Sequence, residues 1–359
     1  MNKSKRIFYY DVVRAIAIIG IVFCYVSIYF VLTGVKTPNF YISAFFDCFR
    51  EFSVPLFVML SGALLINKKD SLIKFFKKRL SRLLIPFLFW VLIYILYSSL
   101  YITKGFNLVN ALNIFLGSSG TLGVAFWFIW MIIISYMGIF AVNKLIEFGN
   151  KRKENFDEKF INLLALLSFI YILISQFGLF NPYSSKLIYF ISFMSYIVIG
   201  YFIANNDYIG NKFDSKIILA VAFSVSILLY FYYIFGFVVP QSLLSNHFVY
   251  KGYFNLLILT LSVNVFVFFK YLSKTDYLKR IEDNKLGNAL TLISEYSFGI
   301  YLCHYLVLHI LKLNLFSLYY GQNPIIWIPV LVITTTLISL LILWILNRIP
   351  YLNKFSGKS

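Results

Sequence analysis

The chain is built from long apolar runs separated by short polar stretches. Ten such runs can be marked, at residues 11–33, 41–66, 83–103, 124–143, 160–178, 186–204, 216–236, 252–270, 289–311 and 325–347. Each is about 20 residues long, enough to cross a ~30 Å hydrocarbon layer at 1.5 Å per residue. A barrel would show about ten alternating residues per strand, and these runs do not alternate. Helices satisfy their own backbone hydrogen bonds in lipid, so the pattern predicts an all-α integral membrane protein with about ten transmembrane helices. No run is paired with an inverted copy, and Pro55 and Gly299 are the candidate mid-span breaks.

The polar stretches orient the spans. With the N-terminus placed in the cytoplasm, 25 of the 32 Lys and Arg residues fall in the inner segments. The outer loops and outer span ends carry five, Lys36, Lys104, Lys186, Lys251 and Lys312, and the remaining two are Arg14 and Arg50. Positive charge collects on the cytoplasmic side of membrane proteins, so both termini are expected inside. The formal charge of +18 therefore reports topology and does not imply a nucleic-acid partner. A charged fraction of 13% is half the ~25% of soluble proteins, which excludes an ordinary soluble fold. The first run begins with Asp11 and Arg14 and lacks a small-residue cleavage site, so it is expected to be retained as a helix. The connectors are too short to fold alone, which predicts one membrane domain over 1–359.

The segment at 67–82 differs from the other connectors. Leu72, Phe75, Phe76, Leu80, Leu83 and Leu84 recur at helical spacing, with Lys74, Lys77, Lys78, Arg79 and Arg82 between them. This is the pattern of a basic amphipathic helix on the inner membrane surface. It fits an anchor for anionic membrane lipid first, and beside it a cradle in which Lys77, Lys78, Arg79 and Arg82 hold the phosphates of a nucleotide-containing donor; the two are compatible.

Charge inside a span is expensive and marks a functional site by default. Asp11 and Arg14 stand three apart at the mouth of span 1, on one helix face where they can pair. Arg50 lies roughly 13 Å below the outer end of span 2, and His304 roughly 21 Å above the inner end of span 9, at 1.5 Å per residue. Tyr25 is 14 residues after Asp11, at a similar height. The three are expected in one layer facing the bundle interior, as a reacting site or as a structural hydrogen-bond knot. Cys24, Cys48 and Cys303 lie inside spans without metal-ligand spacing, and the three histidines form no metal motif. No phosphate-binding loop, dinucleotide fingerprint or nucleophile elbow is present. The residues alone thus point to a membrane enzyme or a transporter.

Five stretches carry a resemblance: DVVRAIAIIGIVFCY, FREFSVPLFVMLSGALL, KKRLSRLLIPFLFW, AFWFIW and SEYSFGIYLCHYLVL. In order and in span count they resemble the membrane acyltransferase-3 family, with VPLF-x-x-LSG and SFGIYL-x-H the most specific. The resemblance implies a ten-helix enzyme of bacterial and other membranes. Such enzymes move acetyl or another small acyl group from acyl-CoA to a hydroxyl of a surface glycan or its lipid-linked precursor. Carried over by position, Asp11 and Arg14 match the family's acidic and basic pair, Arg50 its span-2 arginine and His304 its late histidine. No metal is implied. The richness in Asn, Lys, Ile, Phe and Tyr fits an AT-rich bacterial genome, so a bacterial plasma (inner) membrane is expected.

Three positions depart from the family pattern. The usual histidine 14 residues after the aspartate is Tyr25, the span-4 histidine position is Ala125, and Tyr305 follows His304 in place of proline. Tyr25 matters most: a phenol with a pKa of about 10 is a poor base at neutral pH, where an imidazole at about 6.5 is well matched. An introduced substitution, a divergence in which His304 serves as base, and loss of transferase activity all fit. The last leaves a non-catalytic carrier or exporter of a surface glycan or lipid standing beside the enzyme.

Overall fold

The structure is a computed structural model and describes residues 6–31, 38–152, 155–245, 252–319 and 323–358. Lys3, Lys5, Lys36, Lys153, His247 and Lys251 lie outside the described residues. The described chain is helical: α1 (Phe8–Val31), α2 (Pro38–Asp47), α3 (Phe49–Leu65), α4 (Leu72–Tyr97), α5 (Leu108–Phe115), α6 (Trp127–Asn150), α7 (Phe156–Gln176), α8 (Lys186–Ser192), α9 (Met194–Asn205), α10 (Ser215–Tyr233), α11 (Val239–Ser245), α12 (Leu256–Leu272), α13 (Asp276–Glu282), α14 (Lys285–Tyr319) and α15 (Pro324–Arg348). Single π-helical turns follow α4 at Ser98–Ile102 and α10 at Ile234–Val238, and 3₁₀ turns sit at Leu122–Phe126 and Leu352–Phe355.

Among the described residues, nine helical stretches are long and apolar enough to cross a membrane, or ten if α12 and α13, bent by 83°, count as one span. The expected all-α multi-pass architecture is therefore present. Helix starts are cut where the sequence supplies a cap. Asn107, Ser185, Asp214, Asn255 and Asn323 each accept a hydrogen bond from a backbone N–H of the following turn, satisfying donors that helix geometry leaves open.

Two expected details differ. Span 2 is interrupted at Cys48, between α2 and α3, while α3 runs on through Pro55. Proline has no N–H, so the Glu51 carbonyl four residues earlier loses its helix partner. The second difference is the basic segment: the apolar pattern ends it at 82 and begins a separate span at 83. Instead α4 runs unbroken from Leu72 to Tyr97, and the lysines occupy the first turns of the helix that carries the third span.

The chain divides into two compact units, Met1–Lys69 with Gly138–Ser294, and Asp70–Met137 with Glu295–Ser359. In the first, α3 packs on α1 and α9, and α10 packs on α12. The α3–α9 crossing is close because both faces are glycine there. A Cβ on Gly62 would fall 1.9 Å from the Ile197 carbonyl oxygen, and one on Gly200 would fall 2.3 Å from that of Met59. Small residues at a crossing let backbones approach, the usual device where lipid removes any hydrophobic drive between helices.

In the second unit, Phe87 of α4 meets Phe126 and Trp130 edge-on at 5.4 and 6.0 Å. The indole N–H of Trp130 donates to the Phe115 carbonyl at 3.0 Å. The C-terminal turn folds back on this unit: Phe355 stacks on Phe89 at 4.5 Å, and Ser356 is fully buried. Gly299 makes that return possible, since a Cβ there would fall 2.1 Å from the Ser356 carbonyl oxygen. The expected break at Gly299 is absent, and α14 passes through it unbroken.

Candidate functional site

Three polar constellations interrupt the apolar helices, two in the first unit and one in the second. The first lies at the start of α1. Arg6 grips Asp11 with two nitrogens, Nε to Oδ2 at 2.5 Å and Nη2 to Oδ1 at 3.1 Å. The Ser294 hydroxyl donates to Asp11 Oδ1 at 2.6 Å and accepts from Arg14 Nη1 at 3.4 Å. Ser294 of α14 therefore stands between the acidic and basic residues that the sequence paired by spacing, and Arg6 adds a second cation. Asp11 is buried and Arg14 half-buried. The guanidinium and the hydroxyl give this buried carboxyl group hydrogen bonds that offset the cost of removing it from water.

The second constellation centres on Arg50, just past the Cys48 interruption. Its Nη2 lies 3.4 Å from Asp47 Oδ2 and its Nε 3.2 Å from Glu51 Oε1. Both acids are fully buried, and the arginine side chain keeps 16% of its exposure. The Ser27 hydroxyl donates to Asp47 Oδ1 at 3.3 Å, and the Cys24 thiol lies against the guanidinium. One cation with two anions sums to −1 when every group is ionised, so an incoming oxyanion gains from Arg50 chiefly when one carboxylate is protonated.

Aromatic rings close around this cluster. Tyr230 of α10 stands 5.3 Å from Phe45 and 5.3 Å from Phe49, and its hydroxyl donates to the Phe45 carbonyl. Tyr25 is half-buried on α1, one residue beyond Cys24. Cys24 and Ser27 of α1 both reach the Arg50 cluster.

The third constellation belongs to the second unit. His304 of α14 is fully buried, with Nδ1 2.7 Å from the Tyr301 carbonyl oxygen and 3.1 Å from that of Ile300. Carbonyl oxygens only accept, so this geometry assigns the hydrogen of the neutral ring to Nδ1 and its lone pair to Nε2. Tyr301 stacks obliquely beside it at 5.9 Å and donates its hydroxyl to the Ala125 carbonyl. Two residues before and after His304, the Tyr94 hydroxyl donates to the Leu302 carbonyl at 3.0 Å and accepts from the Leu306 N–H at 2.9 Å.

The basic run of α4 is split in its exposure. Lys77, Lys78 and Arg82 are exposed. Arg79 turns inward, 3.3 Å from Asp70, with its guanidinium 4.1 Å above the Phe75 ring. Its charge thus ties the preceding loop to the helix, and three of the four residues read as a phosphate cradle are left facing outward. Among the described residues, no group of three His, Cys, Asp or Glu side chains could hold a metal ion.

Several participants were not singled out from the sequence. Ser294 lies on α14, 283 residues from Asp11, and carried no signal in the sequence. Arg6 was read as topology alone. Tyr94 is one of 28 tyrosines in an apolar run and carried no signal. Glu295, the residue after Ser294, pairs with Lys358 at 3.2 Å.

Many long apolar helices with ionisable side chains buried among them define a polytopic membrane protein. A family model described as an acyltransferase domain, acyltransferase-3, matches residues 7–344. The chain therefore belongs to the acyltransferase-3 family. No curated protein and no solved structure matches it.

Proposed function

We propose that this protein is an O-acyltransferase of a bacterial plasma membrane, with both termini in the cytoplasm. It would move acetyl, or another small acyl group, from acyl-CoA to a hydroxyl of a surface glycan or its lipid-linked precursor. The His304 turn carries the reading. An imidazole whose Nδ1 proton is fixed on backbone carbonyls at 2.7 and 3.1 Å is oriented as a general base, because Nε2 can only accept.

In this reading Nε2 takes the proton of the acceptor hydroxyl as its oxygen attacks the thioester carbonyl. The new C–O bond forms, the C–S bond breaks, and the imidazolium returns its proton to the departing thiolate. Arg50 supplies positive charge to the oxyanion of the tetrahedral intermediate, and does so best with one of its two carboxylates neutral. Asp11 and Arg14, with Ser294 between them, orient the donor end or gate its entry. Lys77, Lys78 and Arg82 meet the donor phosphates, and Arg79 joins them only by leaving Asp70. Tyr25 donates a hydrogen bond to a substrate oxygen rather than taking a proton.

The test uses membranes containing the native protein, His304→Ala or Tyr25→His, supplied with isotopically labelled acetyl-CoA. Label is followed into glycan and lipid fractions. Native transfer that disappears in His304→Ala is the expected result, and transfer retained in His304→Ala removes that residue from the reaction. Label with Tyr25→His alone would mean a transferase silenced at position 25. Label with none of the three, together with failure to bind coenzyme A, would favour a carrier of glycan or lipid.

A further inference from the structure

We propose that Tyr94 is a positioning residue for His304, its hydroxyl lodged in the hydrogen-bond ladder of α14 so as to hold the 300–306 turn in the form that presents Nδ1 to the Tyr301 carbonyl. In an undisturbed helix the N–H of Leu306 would donate to the carbonyl of Leu302. Here the Tyr94 hydroxyl bridges those two groups, accepting from the first at 2.9 Å and donating to the second at 3.0 Å. A side chain inserted in the i→i−4 ladder is a recognised cause of local helix bending. His304 lies midway between the two bridged residues.

The wedge is fixed in place. Tyr94 is fully buried, and its ring packs 4.9 Å from Phe126. A buried phenol needs a partner for its hydroxyl, and here the hydroxyl both gives and receives. A second tyrosine holds the other side of the turn: Tyr301 anchors its hydroxyl on the Ala125 carbonyl, while its own carbonyl receives the Nδ1 proton. The peptide group that sets the tautomer of His304 is thus braced by Tyr301 and, one turn on, by Tyr94. The role is to orient, because Tyr94 reaches the imidazole through the α14 backbone.

The kinetic arm of the test rests on the acyltransferase reading, and the spectroscopic arm does not. Protein labelled with ¹⁵N-histidine, with His247→Gln and His309→Gln to leave His304 as the reporter, is compared with and without Tyr94→Phe. The expected native spectrum shows a protonated Nδ1 and an unprotonated Nε2. Tyr94→Phe keeps the ring and should shift both signals towards tautomer averaging. With labelled acetyl-CoA, kcat should fall roughly tenfold to a hundredfold at unchanged KM, the size expected of a small misplacement of a reacting group. Tyr94→Leu also lacks the hydroxyl and carries the same expectation if the Phe variant does not accumulate folded. An unchanged His304 spectrum in the folded variant overturns the proposal whatever happens to transfer. Transfer that survives His304→Ala overturns the base assignment while leaving the spectroscopic result to decide on Tyr94.

Discussion

The Arg50 cluster and the His304 turn answer one physical problem in opposite ways. Both place polar groups in helices meant for lipid, where an unsatisfied group costs several kcal/mol. Around Arg50 the solution is ionic: a guanidinium between Asp47 and Glu51, on a helix interrupted at Cys48 and deprived of one backbone bond by Pro55. Around His304 the solution is neutral: an imidazole bonded to its own helix backbone, with tyrosine hydroxyls from elsewhere in the unit taking up backbone groups. An ionic cluster is rigid only while its charges balance. A neutral ring tied to carbonyls needs no counter-charge, and the helix backbone that holds Nδ1 sets its orientation.

The sharpest way to break this contrast is to remove each central residue. Arg50→Leu leaves two buried acids without their cation, and losing one partner of a buried ion pair costs about 3–5 kcal/mol. Unfolding in denaturing mixed micelles should show that loss, and Asp47→Asn added to Arg50→Leu should restore part of it. A loss of transfer in Arg50→Leu therefore conflates folding with chemistry, and Arg50→Lys, which keeps the charge, is the cleaner kinetic probe. His304→Leu in the second unit should cost only about 1–2 kcal/mol, since it loses one hydrogen bond and keeps a comparable apolar volume. Equal losses at the two sites would erase the distinction.

How much of this was legible depended on whether polarity stood out along one dimension. The spans, Arg50 and His304 were visible because a charge or imidazole in an apolar run has no neighbours in sequence to explain it. The interruption at Cys48 was not, because cysteine has no strong backbone preference, whereas Pro55, the obvious breaker, is absorbed within α3. The continuity of α4 was hidden for a related reason: the hydropathy changes at Arg82, but helix propensity does not change with it. Tyr94 and Ser294 act across long sequence separations, on Leu302 and Leu306 and on Asp11. A hydroxyl among apolar residues has no periodicity of its own, so only the packed structure reveals its partner.

Smaller effects sharpen the comparison within the first unit. Ser294→Ala removes a neutral link from an otherwise ionic group, and its hydroxyl both donates to Asp11 and accepts from Arg14. A cost of about 1 kcal/mol is expected, the net worth of one buried hydrogen bond, because Arg6 still holds Asp11. Unfolding in the same micelles checks it, and a cost matching that of Arg50→Leu would mean that Ser294, rather than Arg6, carries the anion.

The smallest effect is expected beyond the spans, where water can compete with ion pairs. Asp207 receives a hydrogen bond from the Tyr271 hydroxyl at 2.5 Å and pairs with Lys274, with Lys270 3.7 Å away. Burial alone would raise its carboxyl, but hydrogen bonds from Lys274 and Tyr271 and the two lysine charges hold it below the ordinary value of 3.8. A depressed folded-state pKa stabilises the protein above the unfolded value and loses that contribution as pH falls through the folded one. Lys270 also caps the end of α9 through the Ile203 and Asn206 carbonyls at 2.7 and 2.5 Å, so the acid steadies a cap as well as a loop. Asp207→Asn should therefore lower the thermal midpoint slightly at neutral pH, and the gap from the native protein should close as pH drops below 3.8. Salt should narrow the neutral-pH gap too, since the carboxylate is 38% exposed and screening acts on exposed pairs. A gap that persists in acid and in salt would show that Asp207 works through packing, as an uncharged residue could.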